Sequence, residues 1–455
     1  MTNKKDIMTE KRAQFTTRLG VIATTVGSAV GLGNIWRFPY EAGVHGGGAF
    51  LLIYLFFIFV IGIPVICAEF IIGRNTGSNI SGAFRRLAPR SAWRWLGYVG
   101  ITASLMILSF YSVVAGWTME YIYQSVAGFS GAHTVEALHS QFDTFAQSDW
   151  RPAAWVVIFL LLNYWILSRG VQKGIERMSN LLMPVLFVIL LLFCINSLTM
   201  DGAGEGLRFL FKPDFSKVDS SVLLGAMGQA FFSLSLGLGC LITYSSYFGK
   251  ETPLVKSATI IASLDTLVAV LAGVIIFPAV FTFGEHPAAG PKLVFEVLPS
   301  IFTNLPGGMA WSTLFFVLLF LASLTSTISM SEISIAYFCE EHGMSRRRAT
   351  CLNTVIALVF GVLCALSFGC MHGFTICGLT LFNLFDYVSS NILLPVGGMA
   401  ISIFVGWVLD RDIVRSELTN GGTRHVRTLS AIIFSLRYVA PVCIALVFFC
   451  GLGII

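Results

Sequence analysis

Two short stretches rich in glycine and serine interrupt apolar segments of the chain. They run from Gly27 to Asn34 and from Ser233 to Gly239. Glycine lowers helix propensity by about 1 kcal/mol relative to alanine, so each stretch predicts a break in a helix. Carbonyl groups at such a break can coordinate a cation, and N–H groups that start the next half-helix can bind an anion. The glycines could instead only let helices pack closely, but two such stretches with polar neighbours favour a site for a zwitterion and a sodium ion.

Three further polar side chains lie within apolar segments. Thr325 and Ser326 can face a cation together with the carbonyl of Ala322 one turn earlier, although hydroxyls in membrane helices commonly bond only their own backbone. Asp265 is the only ionisable residue of its segment. An unpaired carboxylate inside a membrane is costly unless a cation offsets its charge. These side chains are therefore candidates for a cation site.

The composition indicates that these segments cross a membrane. Of the 455 residues, 56% are hydrophobic and 12% are charged, which excludes a water-soluble domain. Windows of about 20 mostly apolar residues, the length needed to cross a bilayer as a helix, recur along the whole chain. We predict eleven spans, at residues 19–40, 49–72, 97–126, 152–168, 176–199, 222–248, 257–283, 309–338, 350–369, 377–408 and 430–453.

Several other functions are disfavoured by the sequence. The first apolar window lacks a small-residue cleavage site, so a removable signal peptide is not expected. The ten cysteines have no CxxC pairs or companion histidines, which indicates buried hydrophobic residues rather than metal ligands. Neither a Walker motif nor an HExxH motif occurs, and His372 near Ser367 is the only hint of an intramembrane enzyme.

The positions of the basic residues predict the orientation. Twenty-two Lys and Arg residues fall in the N-terminal segment or in loops on its side, whereas five fall in loops on the opposite side. Because short cytoplasmic loops carry an excess of Lys and Arg, the N-terminus is predicted to be cytoplasmic and the C-terminus external. The net charge of +5 is thus a topology signal, and no binding of nucleic acid is expected.

The two interrupted spans are the first and the sixth. Broken helices at corresponding positions of two halves are typical of transporters built from an inverted repeat. We therefore predict an all-α membrane protein of eleven transmembrane helices with an inverted 5+5 repeat. Its predicted parts are a cytoplasmic segment at 1–18, a first repeat (helices 1–5) at 19–199, a second repeat (helices 6–10) at 222–408 and helix 11 at 430–455.

Several motifs of the chain are typical of one transporter family. They are Val26-Gly-Ser-Ala-Val-Gly-Leu-Gly-Asn-Ile-Trp-Arg-Phe-Pro39, Gly46-Gly-Gly-Ala-Phe50, Gly228-Gln-Ala-Phe-Phe-Ser-Leu-Ser-Leu-Gly237, Ala322-Ser-Leu-Thr-Ser326 and Phe385-Asp-Tyr387. With these motifs the chain resembles the neurotransmitter:sodium symporter family, in particular its bacterial, eleven-span, LeuT-like amino-acid transporters. The resemblance implies a multi-pass protein of the cell membrane, with helices 1 and 6 unwound midway through the bilayer.

The same resemblance implies two sodium sites. The ligands of the first, called Na1 below, would be Ala29, Asn34, Ser233 and Asp265, completed by the substrate carboxylate. Those of the second, called Na2, would be Gly27, Val30, Ala322, Thr325 and Ser326. Family members that require chloride generally carry Asn near the position of Asp265 and Ser one turn later, where this chain has Ala269. We therefore expect Asp265 to supply the negative charge, and chloride not to be required.

The substrate site implied by the resemblance lies between the two breaks. The carboxylate would bind the N–H groups of Leu32 and Gly33 and the hydroxyl of Tyr111, and the ammonium group would bind the carbonyls of Ala29 and Phe232. The remaining residues near the ammonium group and around the side-chain pocket would be Ile107, Ser233, Ser235, Leu238, Gly239, Ser326 and Ser329. Small residues at 239 and 329 favour a large apolar or aromatic amino acid.

Charged pairs that meet only when one path closes are also implied by the resemblance. Arg37 and Asp386 would form the outer gate, and Arg12 and Glu340, supported by Tyr247, the inner gate. The spacing of Gly174 and Pro184 resembles a family signature at which helix 5 can unwind. The expected function is sodium-coupled import of a hydrophobic or aromatic L-amino acid by alternating access. A transport-inactive amino-acid sensor on the same scaffold is the alternative.

Overall fold

The computed structural model describes residues 15–131, 134–284, 293–303 and 307–454, and these residues are mostly helical. The first half contains α1 (Arg18–Ala29), α2 (Gly33–Val44), α3 (Gly48–Thr76), α4 (Ile80–Leu87), α5 (Ala92–Val126), α6 (Val135–Ala146), α7 (Arg151–Leu167) and α8 (Val171–Leu198). The second half contains α9 (Ala203–Phe211), α10 (Ser220–Ser233), α11 (Cys240–Ser245), α12 (Leu254–Thr282), α13 (Leu298–Thr303), α14 (Gly308–His342), α15 (Arg346–Leu366), α16 (Leu381–Val408), α17 (Arg411–Thr419) and α18 (Leu429–Gly451).

Eight of the described helices are long and apolar enough to cross a membrane: α3, α5, α8, α12, α14, α15, α16 and α18. Two bent pairs pass the same test when each is counted as one span: α1 with α2, bent by 53°, and α6 with α7, bent by 73°. The shorter α10 and α11 divide the predicted sixth span. The prediction of an all-α membrane protein is confirmed, whereas the count of eleven spans stays a prediction.

The long helices extend beyond the predicted apolar windows. The window at 309–338 lies inside α14, which continues to His342 and ends where Gly343 adopts a left-handed conformation (φ +63°). A hydropathy window measures only the part that crosses the hydrocarbon core, whereas backbone hydrogen bonding lets a helix continue into the polar region until a capping residue ends it.

The helices α5 and α14 form the most extensive helix contact of the described residues. Two pairs of serine hydroxyls connect them, Ser104 with Ser334 at 3.3 Å and Ser125 with Ser312 at 2.8 Å. Small hydroxyl residues let membrane helices approach closely and hydrogen-bond across the interface. This contact sets the position of Tyr111 on α5 relative to Ser326 on α14.

One exposed residue defines where α10 begins. The carboxylate of Asp219 accepts hydrogen bonds from the Ser221 hydroxyl and the Val222 N–H group, which lower the pKa of Asp219. An N-cap carboxylate of this kind satisfies an N–H group at the helix start. The helix that leads to the second break is therefore fixed at its first turn.

Candidate functional site

At the first break, polar side chains form hydrogen bonds with backbone groups that would bond other backbone groups in a continuous helix. The helix α1 ends at Ala29, and Val30 is extended (φ −66°, ψ 115°). The Gly31 N–H group donates to Asn34 Oδ1 at 2.9 Å, and the Ser326 hydroxyl donates to the Val30 carbonyl at 3.1 Å. Backbone groups that leave a helix inside the membrane require such partners, because no water is present there to bind them.

The second break, at residues 234–239, contains three residues with positive φ: Ser235 (52°), Gly237 (83°) and Gly239 (80°). A Cβ atom at Gly237 would lie 2.4 Å from the Leu394 carbonyl oxygen, so only glycine fits there. The Gly237 N–H group donates to Glu69 Oε1 at 2.9 Å. A buried carboxylate on α3 therefore stabilises the irregular backbone of this break.

Three of the predicted Na1 ligands meet beside the breaks. Asn34 Nδ2 donates to Ser233 Oγ at 2.9 Å and to Asp265 Oδ1 at 2.7 Å, and Ser233 Oγ donates to Asp265 Oδ2 at 2.7 Å. All three side chains are buried, and Asp265 forms no ion pair with the described residues. Carboxylate, hydroxyl and amide oxygens suit a hard cation, and a cation here would offset the buried charge.

The predicted Na2 ligands lie between α1 and α14. Besides the contact of Ser326 with the Val30 carbonyl, the Thr325 hydroxyl donates to the Ala322 carbonyl at 3.0 Å. A Cβ atom at Gly27 would lie 3.4 Å from Thr325 Cβ, so the two helices are in contact there. Among the described residues, no group of three or more His, Cys, Asp or Glu side chains could hold a metal ion.

A cavity between the breaks contains most of the predicted substrate residues. Those that line it are Ala29, Gly33, Ile107, Tyr111, Phe232, Ser233, Ser235, Leu238 and Ser326. The cavity is also lined by five residues that were not predicted as substrate residues: Gly31, Phe110, Met330, Ser390 and Leu394. No Asp, Glu, Lys, Arg or His side chain is present in this lining, so the cavity is suited to an apolar side chain next to backbone polar groups.

Three predicted substrate residues lie outside this lining. The Leu32 N–H group donates to the Tyr111 hydroxyl at 3.0 Å. A Cβ atom at Gly239 would lie 2.0 Å from Ile80 Cδ1, so this glycine faces α4. The Ser329 hydroxyl accepts from the Tyr244 hydroxyl at 2.8 Å and donates to the Thr325 carbonyl at 3.0 Å. Room in the cavity therefore depends on Met330 rather than on Gly239 and Ser329.

We expect Tyr111→Phe to lower substrate affinity by about tenfold or more, because a hydrogen bond to a charged group such as the substrate carboxylate contributes about 1.5–3 kcal/mol. The removed hydroxyl accepts from Leu32 N–H at the edge of the cavity. Substrate affinity and sodium affinity are to be measured separately by radioligand binding. Ser109→Ala is the matched control, since that hydroxyl bonds only the Leu105 carbonyl of its own helix. Wild-type substrate affinity in Tyr111→Phe would refute the carboxylate contact.

Comparison with known proteins assigns the chain to a family. The family model described as "Sodium:neurotransmitter symporter family" matches residues 12–131 and 129–454. The chain belongs to the sodium:neurotransmitter symporter family. It is 37% identical over 446 residues to the uncharacterized sodium-dependent transporter YhdH of Bacillus subtilis, covering 98% of this chain and 99% of that protein. An uncharacterized sodium-dependent transporter of Haemophilus influenzae is also 37% identical, over 97% of this chain and 99% of that protein.

A solved structure of the same family has a similar fold. It is MhsT in complex with L-phenylalanine, with a TM-score of 0.88 and 44% sequence identity, and the match covers 97% of this chain and 100% of that chain. The predicted family and the multi-pass membrane location are therefore confirmed. This symporter is a sodium-dependent transporter, and its relatives are transporters rather than enzymes.

The predicted outer-gate residues of this symporter each contact other side chains, and they form no ion pair with each other among the described residues. The Arg37 guanidinium carbon lies 4.3 Å from the centre of the Phe232 ring, and Arg37 Nε lies 3.4 Å from Glu41 Oε1. Asp386 Oδ1 accepts from the Ser390 hydroxyl at 2.9 Å. Arg37 thus covers the cavity through Phe232, and its pairing with Asp386 stays a prediction.

The predicted inner gate lies partly outside the described residues, because Arg12 is not among them. Glu340 Oε2 accepts from the backbone and side-chain amides of Asn79, at 2.8 and 2.9 Å. The hydroxyl of Tyr247 donates to Glu332 Oε1 at 2.7 Å, and the carboxylate of Glu332 also pairs with Arg346. The structure therefore adds a buried ion pair at this end of the symporter that sequence reasoning missed.

We expect Glu332→Gln to lower the stability of this symporter by about 3 kcal/mol, because breaking a buried pair leaves a charge without its partner. The side chain of Glu332 is fully buried, whereas that of Arg346 is 23% exposed. The fraction of protein that stays monodisperse in detergent after heating measures the effect. Arg348→Gln, an exposed change on the same helix as Arg346, is the control, and equal melting of the two variants would contradict this role.

The predicted signature at Gly174 and Pro184 falls on an irregular part of α8. Residues Val171–Glu176 form a π-helical turn, and a Cβ atom at Gly174 would lie 2.3 Å from the Ile166 carbonyl oxygen. The buried carboxylate of Glu176 accepts from the backbone N–H groups of Thr16 and Thr17. The start of α1 and this turn of α8 are therefore joined directly.

Two polar residues at the site were missed by the sequence analysis. Glu69 Oε1 accepts from the Gly237 N–H group of the second break. Gln229 Nε2 donates to the Gly33 carbonyl at 3.0 Å, which connects the second broken span to the first. Glu69 carries the only charged side chain of the predicted span at 49–72, just as Asp265 does in its own span. The cost of a lone carboxylate in a membrane was therefore a signal that could have identified Glu69.

Proposed function

We propose that this chain imports a hydrophobic or aromatic L-amino acid together with sodium by alternating access. One observation carries the proposal. The cavity between the two breaks contacts both Tyr111, which holds the Leu32 N–H group, and Ser233, which belongs to the Asn34–Asp265 cluster. The cavity has a volume of about 40 Å³ in this conformation and has to widen to admit an amino acid. A zwitterion bound there can reach backbone N–H groups, carbonyl groups and a cation at the same time.

The proposed coupling follows from charge. A sodium ion among Asn34, Ser233 and Asp265 is adjacent to the position proposed for the substrate carboxylate, so each ligand lowers the electrostatic cost of binding the other. A second ion among the carbonyls and hydroxyls of Na2 would connect α1 to α14. In this proposal Asp265 carries the negative charge at the first ion, and chloride is not required.

The proposed substrate class follows from the lining of the cavity. The side chains of Ile107, Phe110, Phe232, Leu238 and Met330 present apolar surface to it. A charged substrate side chain would be desolvated there without a partner, which is costly. The bound L-phenylalanine of MhsT, which shares 44% of its sequence with this chain, supports an aromatic substrate.

The proposal includes the finer architecture. It assumes eleven spans with a cytoplasmic N-terminus, repeats at 19–199 and 222–408, and helices 1 and 6 unwound midway through the bilayer. The irregular residues 30–32 and 234–239 support the last point. An inside-negative potential then favours inward movement of sodium by about 2.3 kcal/mol per unit charge and 100 mV.

Uptake into proteoliposomes tests this function. Purified protein with an inward sodium gradient should accumulate labelled L-phenylalanine, and the accumulation should be lost when potassium replaces external sodium. Competition by each of the twenty amino acids would then define the substrate class. Saturable sodium-dependent binding without uptake would instead favour an amino-acid sensor on the same scaffold.

A further inference from the structure

A second cavity, which shares no lining residue with the substrate cavity, lies at the ends of two membrane helices. It has a volume of about 440 Å³, within the usual range for ligand pockets of about 300–1,000 Å³. Residues just before and at the start of α12 and just before α18 line it, with Leu418 of α17. The long cation-bearing side chains in this lining are Lys256, Arg424 and Arg427.

The charge of this cavity is not balanced by its own lining. No carboxylate belongs to the lining, and none of the three basic side chains forms an ion pair with the described residues. Glu417, adjacent to Leu418, is bound to Arg74 and Asn75 instead. The lining of the cavity therefore carries three basic side chains and no carboxylate.

The position of the cavity relative to the bilayer indicates whether a ligand would come from the membrane or from the aqueous solution. Apolar helices begin directly at its lining, α12 at Leu254 and α18 at Leu429. The apolar windows predicted from the sequence, 257–283 and 430–453, begin within three residues of these helix starts, so the cavity lies close to the predicted level at which the hydrocarbon core gives way to lipid headgroups. Val255 and Val426 line the cavity beside the basic residues, so the site combines positive charge with apolar surface.

We propose that this cavity binds the phosphate group of an anionic phospholipid from the cytoplasmic leaflet. The three cations attract the phosphodiester, which carries one negative charge, while the adjacent valines contact the start of the acyl chains. Basic pockets between membrane helices on the cytoplasmic side are suited to such headgroups. The excess of positive residues predicts that this side is cytoplasmic, and the assignment to the cytoplasmic leaflet rests on that prediction, but the excess does not account for their convergence on one cavity.

The lipids that remain bound to the full-length protein test the proposal. The protein is reconstituted with equal parts of phosphatidylglycerol and phosphatidylcholine, released, and analysed by native mass spectrometry. The cavity variant combines Lys256→Gln, Arg424→Gln and Arg427→Gln. The control combines Arg90→Gln, Arg94→Gln and Arg348→Gln, which removes three exposed charges from the same predicted side but outside the cavity.

Each basic residue near an anionic surface contributes about fivefold to binding, so we expect the cavity variant to lose its preference for phosphatidylglycerol by at least about tenfold. The control should keep the wild-type preference. Arg427→Gln alone should show a smaller loss in the same direction, which keeps the test valid if the triple variant does not fold. Equal preferences in the cavity and control variants would overturn the proposal.

A test with inorganic phosphate distinguishes a lipid headgroup from a soluble phosphate compound as the ligand of this cavity. If the site is a lipid site, millimolar phosphate should neither raise the melting temperature of the wild type nor displace bound phosphatidylglycerol. Stabilisation by phosphate without any lipid preference would assign the cavity to a soluble phosphate compound and overturn the lipid assignment.

Discussion

Replacement of Asp265 by Asn is expected to reduce sodium-dependent substrate binding by at least about tenfold in chloride-free buffer, which corresponds to about 1.4 kcal/mol. The carboxylate is fully buried and accepts hydrogen bonds from Asn34 and Ser233. An Asn side chain can keep its contact with Asn34 through its oxygen and donate to the Ser233 hydroxyl. The change therefore removes the negative charge while it retains the size of the side chain.

The response to chloride distinguishes loss of the negative charge of Asp265 from general damage to the protein. If Asp265 supplies a charge that an anion can replace, chloride should restore part of the binding to the variant and have no effect on the wild type. Equilibrium binding of labelled amino acid at several sodium and chloride concentrations measures both effects. Asp149→Asn, the same change at an exposed position, is the control. Unchanged dependence on both ions would remove Asp265 from the ion site.

Replacement of Gly31 by Ala is expected to lower saturable uptake by about tenfold or more. The added Cβ atom would lie 2.6 Å from Ser326 Oγ and 2.9 Å from Tyr111 Oη, which is closer than packed atoms approach. The Ser326 hydroxyl would have to move away from the Val30 carbonyl, and the Tyr111 hydroxyl from the Leu32 N–H group. Gly31 itself lines the cavity. Overpacking of this kind costs about 1–3 kcal/mol, and here it falls on the proposed sodium and carboxylate contacts together.

A control separates this steric effect from general damage. Gly204 lies on the short helix α9, and a Cβ atom added there would have no neighbouring atom within 4 Å, so Gly204→Ala should transport like the wild type. Both variants are compared by sodium-driven uptake and by thermal stability without substrate. Wild-type uptake by Gly31→Ala would show that the contact among Gly31, Ser326 and Tyr111 has no part in transport.

Much of the site could be predicted because its signals are local in sequence. The glycines near Gly27 and Gly237 indicated irregular backbone, and the structure has helix ends at Ala29 and Ser233. The pocket was predicted less well where one position decides which way a side chain faces. Met330 lines the cavity, whereas Ser329 bonds Tyr244, because adjacent residues on a helix face directions about 100° apart.

The sequence by itself determined that the chain lies in a membrane, which segments are apolar, and which polar residues interrupt them. Hydropathy and helix propensity are sums over neighbouring residues, so they can be read without a fold. Only the tertiary structure decided which groups meet: Asn34 with Asp265 across 231 positions, Glu69 with Gly237 across 168, and Lys256 with Arg424 at a second cavity. Such pairs depend on how whole helices pack, and no local pattern contains that information.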